Sequence, residues 1–401
     1  MKRKEFLNLT QFVTCNFFKT KKTGDIIKYR GCGCVIKLSE NIITDNRKKV
    51  LVVAGNSVIR LELLKKVFEK LKEQNIEYTI YTGIHNDPDI ECVEKGVASY
   101  ILNKCDCILA VGGGSVLDCA KMIALRISNP DKSIFQMTNP IMPLKKSIPL
   151  YIAPTTAGSG SEITMYAVIT DNDSKKKLPI LTDKFLPLCI ALDPVLSVSL
   201  PPEITAYTGM DALTHAVEAY ISTFSDTFYD DTKNAPSACR MIFENLPVAC
   251  KDPFNKEARL NMLTASFKAG ISFRYAGVGY VHSLSHRLGE MYGIPHGYAN
   301  AVLLPEILKM YLPKIENKLS ALACHCGFTT KKYIIRYNAE LFINKIISLN
   351  KETGIKNKLP EIIEKDFDEI IKRTQKEAKL LGCPVILSDE QIRTILINIS
   401  K

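Results

Sequence analysis

The chain has 401 residues, too long for one ordinary hydrophobic core, so two domains are expected. With 46% hydrophobic and 24% charged residues it has an ordinary soluble globular composition, and no apolar run approaches the roughly 18 residues that span a bilayer. The formal charge of +11 is spread over many lysines, with one cluster at 175–177; no basic stripe is interleaved with aromatics, which argues against nucleic acid as a partner.

Residues 1–25 read as a basic, poorly patterned leader. Its apolar residues are broken by Asn8, Thr10, Gln11 and Thr14, unlike a signal peptide, so the cytoplasm is the expected compartment. The 13 cysteines include the C-x-C pairs 32/34, 105/107 and 324/326, none followed by a second pair at zinc-finger spacing. Free thiols in a reducing compartment are expected.

From residue 26 strands alternate with helices. The pattern predicts strands at 49–54, 76–81, 107–111 and 150–153, with helices at 60–74, 90–102 and 115–127 between them. This is the pattern of an α/β domain with a parallel sheet covered on both faces. After Pro201-Pro202 the segments 205–224, 234–249, 255–274 and 278–291 are long and helical, with no convincing strand to the end. The segment 223–236 reads as a polar loop between helices. The expected organisation is leader 1–25, a Rossmann-like dinucleotide-binding α/β domain over 26–200 and an all-helical domain over 201–401.

Two loops carry chemistry in the first half. Gly112-Gly113-Gly114-Ser115 follows a buried strand and opens a helix; glycines there let backbone N–H groups approach a pyrophosphate, and Ser115 is placed to cap the helix. Pro154-Thr155-Thr156-Ala157-Gly158-Ser159-Gly160-Ser161-Glu162 follows the next apolar strand, where α/β sheets bind ligands. A plain turn is the competing reading of each.

Four of the six histidines fall in two segments of the second half. Asp211 and His215 are four apart, as are His282 and His286, and His296 follows; on helices such pairs share one face. One carboxylate with three imidazoles suits Fe(II) or Zn(II). A metal together with a nicotinamide points to hydride transfer to a carbonyl. His85 and His325, standing alone, read as structural.

These motifs together resemble the iron-containing (group III) alcohol dehydrogenases. The resemblance is carried by Gly-Gly-Gly-Ser-x-x-Asp-x-Ala-Lys at 112–121, Pro154 to Glu162, Asp193-Pro194, Gly209 to Ala216, and the stretch 277–305, and it covers about residue 26 to the C-terminus. It implies a nucleotide-binding N-domain, a helical C-domain and a metal in the cleft between them. By position Asp211, His215, His282 and His296 match the four metal ligands, and His286 the family's non-ligand histidine beside the nicotinamide. Gly113, Gly114, Ser115 and Asp118 match the pyrophosphate loop. Thr155, Thr156, Ser159, Thr164 and Lys177 match further cofactor contacts, and Asn86 an asparagine near the reactive end.

The sequence departs from its relatives in two places. Members that use NAD often carry an aspartate after the first strand, where this chain reads Gly55-Asn56-Ser57; NADP(H) is therefore expected in preference to NAD(H). Many relatives have asparagine where this chain has Tyr275, a candidate to narrow the substrate pocket. The expected activity is a metal-dependent alcohol dehydrogenase or aldehyde reductase, with Fe(II) or alternatively Zn(II), a small alcohol or aldehyde as partner, no nucleic acid or membrane, and a homodimer as the assembly. A zinc polyol dehydrogenase or related lyase of the same fold is one alternative. A metal-dependent hydrolase is another, but the two loops argue against it.

Overall fold

The computed structural model describes residues 26–174, 176–331 and 334–400; the leader 1–25 and Lys175 of the lysine cluster lie outside them. The described chain divides into two compact units, one holding 26–156 and Gly160–Ser199, the other Ala157–Ser159 and 200–400.

The first unit is built on a sheet of β1 (Ile27–Arg30), β2 (Lys49–Ala54), β3 (Glu77–Tyr81), β4 (Cys107–Gly112), β5 (Leu150–Pro154) and β8 (Cys189–Leu192), all parallel, in the order β1-β8-β5-β4-β2-β3. Its central strands are continuous apolar runs because both faces are covered. Successive side chains of β2 alternate between two cores. Leu51 and Val53 join Val93 of α4 (Ile90–Leu102) and the buried faces of α5 (Gly114–Ser128) and the short α6 (Ile134–Met137). Val50, Val52 and Ala54 join Leu38 and Ile42 of α1 (Ile36–Thr44) and Val67 and Leu71 of α3 (Lys65–Glu73).

The single helix expected over 60–74 is in fact two, α2 (Asn56–Arg60) and α3, separated by a turn in which Glu62 takes φ 52°. Leu61 is exposed, while Val58 and Leu64 bury on either side of the break. The pattern also missed β1, β8 and an antiparallel hairpin of β6 (Tyr166–Asp171) and β7 (Lys176–Leu181). β1 is a largely exposed edge strand, and Pro179 interrupts β7, so neither shows an apolar run.

The strand order locates the ligand end of this unit. From β2 the chain steps outward to β3, then returns to place β4 on the other side of β2 and β5 beyond it. The carboxyl ends of β2 and β4 therefore flank the point where the order reverses, which is where open α/β sheets bind ligands. The loops after β2, β4 and β5 leave from adjacent strands, with Ala54 beside Val111 and Gly112 beside Pro154. Gly112 is required there: a Cβ would lie 2.5 Å from the Val116 Cβ. Gly112→Ala is expected to destabilise this unit by about 1–3 kcal/mol through overpacking, read as a lower unfolding midpoint. An unchanged midpoint would show that Val116 yields freely.

The second unit is helical: α7 (Pro202–Ile221), α8 (Tyr229–Thr232), α9 (Ala235–Lys251), α10 (Lys256–Ala276), α11 (Tyr280–Tyr292), α12 (His296–His325), α13 (Ile335–Glu352), α14 (Phe367–Ala378) and α15 (Asp389–Ser400). No strand occurs among its described residues from 200 onward. α7 starts with Pro202 in its first turn and is buried nearly all round, as befits a helix at the centre of a bundle. α11 ends on Gly293 at φ 68°, a left-handed stop. The segment read as a polar loop at 223–236 includes α8, whose Asp231 accepts from Arg274 Nη2 at 2.6 Å. Tyr275 is buried on α10, stacked on Phe228 with 5.4 Å between ring centroids.

Candidate metal centre and cofactor loops

Three helices of the second unit bring Asp211, His215, His282 and His296 together. α7 supplies Asp211 and His215 on one face, α11 supplies His282, and His296 is the first residue of α12. The donor atoms of Asp211, His215 and His282 lie within 4.8 Å of one another. Asp211 Oδ1 stands 3.6 Å from His282 Nε2 and 3.5 Å from His296 Nε2, and Oδ2 stands 3.9 Å from His215 Nδ1. A tetrahedron with spokes of about 2.1 Å has edges of roughly 3.4 Å, so these separations suit donors around one ion.

The hydrogen bonds fix which nitrogen of each ring faces the group. His282 Nδ1 donates to Glu218 Oε2 at 2.6 Å and His296 Nδ1 donates to Ser285 Oγ at 2.7 Å, which turns Nε2 of both rings inward toward Asp211 Oδ1. The His215 ring is bonded to the Gly158 backbone, and its Nδ1 is buried with no hydrogen-bond partner. An orphaned imidazole nitrogen beside a carboxylate fits a bound cation. Asn300, one turn after His296, donates from Nδ2 to Asp211 Oδ1 at 2.8 Å.

Electrostatics agree with the geometry. Burial alone would raise the Asp211 pKa, but the charges of His215 and the other imidazoles reverse this and hold it far below the usual carboxylate range. Burial pushes His215 down to about 4. At His282 burial acts in the same direction, but hydrogen bonds to Asp211 and Glu218 outweigh it and raise the ring to about 9. An acceptor-rich group of this kind could hold a dication.

His286 is half-turned to solvent with its side chain 30% exposed. Its Nδ1 donates to Glu377 Oε1 at 2.9 Å, and its ring stacks on His296 with centroids 5.4 Å apart. The bond to Glu377 commits Nδ1 and leaves Nε2 as the ring's other nitrogen. The hydrogen bond to His286, with Arg287 nearby, outweighs burial and lowers the Glu377 pKa, so the acceptor stays ionised.

In the first unit Gly55 to Ser57, Asn86, Gly113 to Ser115, and Thr155 and Thr156 follow the carboxyl ends of β2, β3, β4 and β5, whereas Asp118 lies within α5, Thr164 precedes β6 and Lys177 lies in β7. Gly113 occupies the N-cap position of α5 in extended geometry, and Gly114 and Ser115 begin the helix. Ser115 therefore sits inside the first turn and is not the cap expected of it, because the helix starts one residue earlier. A Cβ on Gly113 would lie 3.3 Å from the Thr156 methyl, so the loops after β4 and β5 are closely apposed. Thr155 is buried and bonded through its N–H to the Gly112 carbonyl at 2.9 Å. Asp118 faces inward: it accepts from Ser161 Oγ at 2.5 Å and Val168 N–H at 3.0 Å. Lys121, fully buried, donates to the Ser161 carbonyl at 2.9 Å and lies 3.5 Å from Thr164 Oγ1.

Gly55 precedes α2 in extended geometry, with Asn56 and Ser57 exposed beside it. Asn86 is exposed in the loop after β3, and Lys177 reaches the same loop, 2.6 Å from Asp87 Oδ1. Ser159 belongs to the other unit and is half-buried. His325 is exposed at the end of α12, away from the group in sequence. His85 does not stand alone: its Nε2 lies 3.3 Å from Asp89 Oδ2 and 3.3 Å from Cys92 Sγ.

A family model described as iron-containing alcohol dehydrogenase matches residues 28–194, and one for the C-terminal part of the same family matches residues 205–399. The chain belongs to the iron-containing alcohol dehydrogenase family. It is 35% identical over 369 residues to alcohol dehydrogenase 4 of Schizosaccharomyces pombe, covering 91% of this chain and 85% of that protein. It is 33% identical to an NADPH-dependent butanol dehydrogenase of Clostridium saccharobutylicum, covering 79% and 80%, and 31% identical to an NAD-dependent methanol dehydrogenase of Bacillus methanolicus, covering 92% and 96%. A crystal structure of 1,3-propanediol oxidoreductase superposes with TM-score 0.88 at 32% identity, covering 93% of this chain and 97% of that one. As a member of this family the chain is an oxidoreductase acting with a metal and a nicotinamide cofactor. No helix among the described residues is long and apolar enough to cross a membrane.

Glu218, Ser285, Asn300 and Glu377 were not singled out in the sequence. For two of them a signal existed. Glu218 is seven residues after Asp211, on the same face of a helix that is buried nearly all round, and Asn300 is one turn after His296. Ser285 and Glu377 meet their histidines across 11 and 91 residues, which no local pattern reveals.

Proposed function

We propose that this iron-type dehydrogenase interconverts a small alcohol and its aldehyde, with Fe(II) held by Asp211, His215, His282 and His296 and with NADP(H) preferred to NAD(H). The observation that carries the reading is the convergence of one carboxylate and three inward-facing imidazole nitrogens, each ring's other nitrogen being committed to a protein acceptor. When bound, the ion supplies Lewis acidity toward a substrate oxygen and the nicotinamide supplies or accepts the hydride. Zn(II) suits the same donors, so the metal content of protein purified without added metal distinguishes the two.

His286 exchanges the substrate's proton through Nε2 while Glu377 keeps the proton on Nδ1 and fixes the ring. Backbone N–H groups at Gly113, Gly114 and Ser115, at the start of the 15-residue α5, receive the pyrophosphate. Asp118 and Thr164 serve the cofactor through the loop they hold with Lys121 and Ser161. Thr155, Thr156, Ser159, Asn86 and Lys177 complete the cofactor's surroundings.

The cofactor preference rests on the end of β2. An aspartate there would accept from the ribose 2′-hydroxyl and repel a 2′-phosphate, and Gly55 removes that charge. Asn56 and Ser57 offer donors beside it, and Arg60 lies one turn on. The backbone at Gly55 has φ −68°, and a Cβ would meet only Val116 and Val58 at 3.8 and 4.0 Å. Gly55→Asp is therefore sterically free and isolates the charge. It is expected to move the ratio of kcat/KM values toward NADH by about tenfold or more, roughly 1.4 kcal/mol. A wild-type preference for NADH would overturn this part of the reading and leave the metal centre untouched.

A further inference from the structure

Glu218 is 4% exposed and takes no part in the donor set proposed above. It follows His215 by three residues on α7, on the face that carries both Asp211 and His215. Its carboxylate accepts three hydrogen bonds: from His282 Nδ1 at 2.6 Å, from the Gly279 N–H at 2.8 Å and from the Val281 N–H at 2.9 Å. Among the described residues no lysine or arginine pairs with it. The chain makes room for it, since a Cβ on Gly279 would lie 2.8 Å from its Oε1.

We propose that Glu218 is the positioning residue of the metal centre: it ties the first turn of α11 to α7 and holds His282 in the tautomer whose Nε2 faces the ion. The inference rests on the metal-centre reading and adds a residue to it. A carboxylate enclosed without a lysine or arginine partner is expensive, so one kept here must be met by what it touches. What it touches is the far side of a donor imidazole and two amides at the start of a 13-residue helix, whose partial positive charge favours it. Accepting from Nδ1–H also makes Nε2 a stronger donor, as carboxylate–histidine pairs do behind bound metals. With a dication and Asp211, Glu218 brings the formal charge of the enclosed group to zero.

The test uses the full-length chain, stripped by chelation and titrated with Co(II), with affinity measured by competition and the visible absorption of the bound ion recorded. Wild type is expected to bind and show a ligand-field band. Glu218→Gln removes the charge and is expected to weaken Co(II) binding roughly 10–100-fold and to shift the band. Glu218→Asp, which keeps the charge one methylene further back, should fall between the two. Because the effect runs through His282, adding Glu218→Gln to His282→Ala should change affinity by less than about threefold. Wild-type affinity and spectrum in Glu218→Gln would overturn the proposal, as would an undiminished loss in the His282→Ala background. Should Glu218→Gln fail to fold, Glu218→Asp decides alone, with unchanged affinity and spectrum overturning the proposal. A wild type that binds no Co(II) would instead sink the reading of the metal centre itself.

Discussion

Protein carrying His296→Ala is expected to lose its bound ion and nearly all activity while both units stay folded. His296 contributes through Nε2 alone; its Nδ1 partner is a single serine hydroxyl, and its side chain is 41% exposed, so truncation opens the donor set with little effect on the core. The three remaining donors would hold a divalent ion poorly in water. His282→Ala should remove the metal as completely and cost more stability. It leaves the Glu218 carboxylate buried beside a vacated ring, and breaking one partner of such a pair is costly. Elemental analysis together with circular dichroism separates the two effects. Full metal occupancy in either variant would show that the residue replaced is not a ligand.

The second large effect is expected at His286. His286→Ala should retain the metal, because no donor is removed, and should lower kcat by roughly 10²–10⁴-fold. The ring is held by Glu377 on one side and stacked on His296 on the other, so its Nε2 has a fixed direction. Removing it should also change the shape of the pH–rate profile, since proton exchange must then pass through water. The readout is kcat across pH with metal content measured in parallel. An unchanged profile would reduce His286 to packing against His296.

Much of this was legible in the sequence for reasons that can be named. β2, β4 and β5 announce themselves because buried parallel strands are continuous apolar runs, and α4 matches its predicted span of 90–102 because its apolar spacing is uninterrupted. The four metal residues stood out because imidazoles at helical spacing near a carboxylate are rare in a chain with six histidines. The edge strand β1 and the hairpin β6–β7 were illegible: half-exposed strands carry no run, and Pro179 breaks what pattern β7 has. The break between α2 and α3 was hidden because Leu61 fits a helical stripe by spacing while the fold leaves it exposed. Asp118 shows a different limit. Its motif links it to a cofactor, yet its carboxylate is spent on Ser161 and Val168, 43 and 50 residues away, and no spacing could have said so.

The most direct measurement is metal reconstitution of the wild-type protein. The chain is stripped with a chelator, then titrated with Fe(II) under anaerobic conditions while NADPH consumption is followed with a short aliphatic aldehyde. Activity is expected to vanish on stripping and to return in proportion to the ion bound, saturating at one per chain. NADPH consumption at an undiminished rate in the stripped protein, with no metal found by elemental analysis, would contradict it.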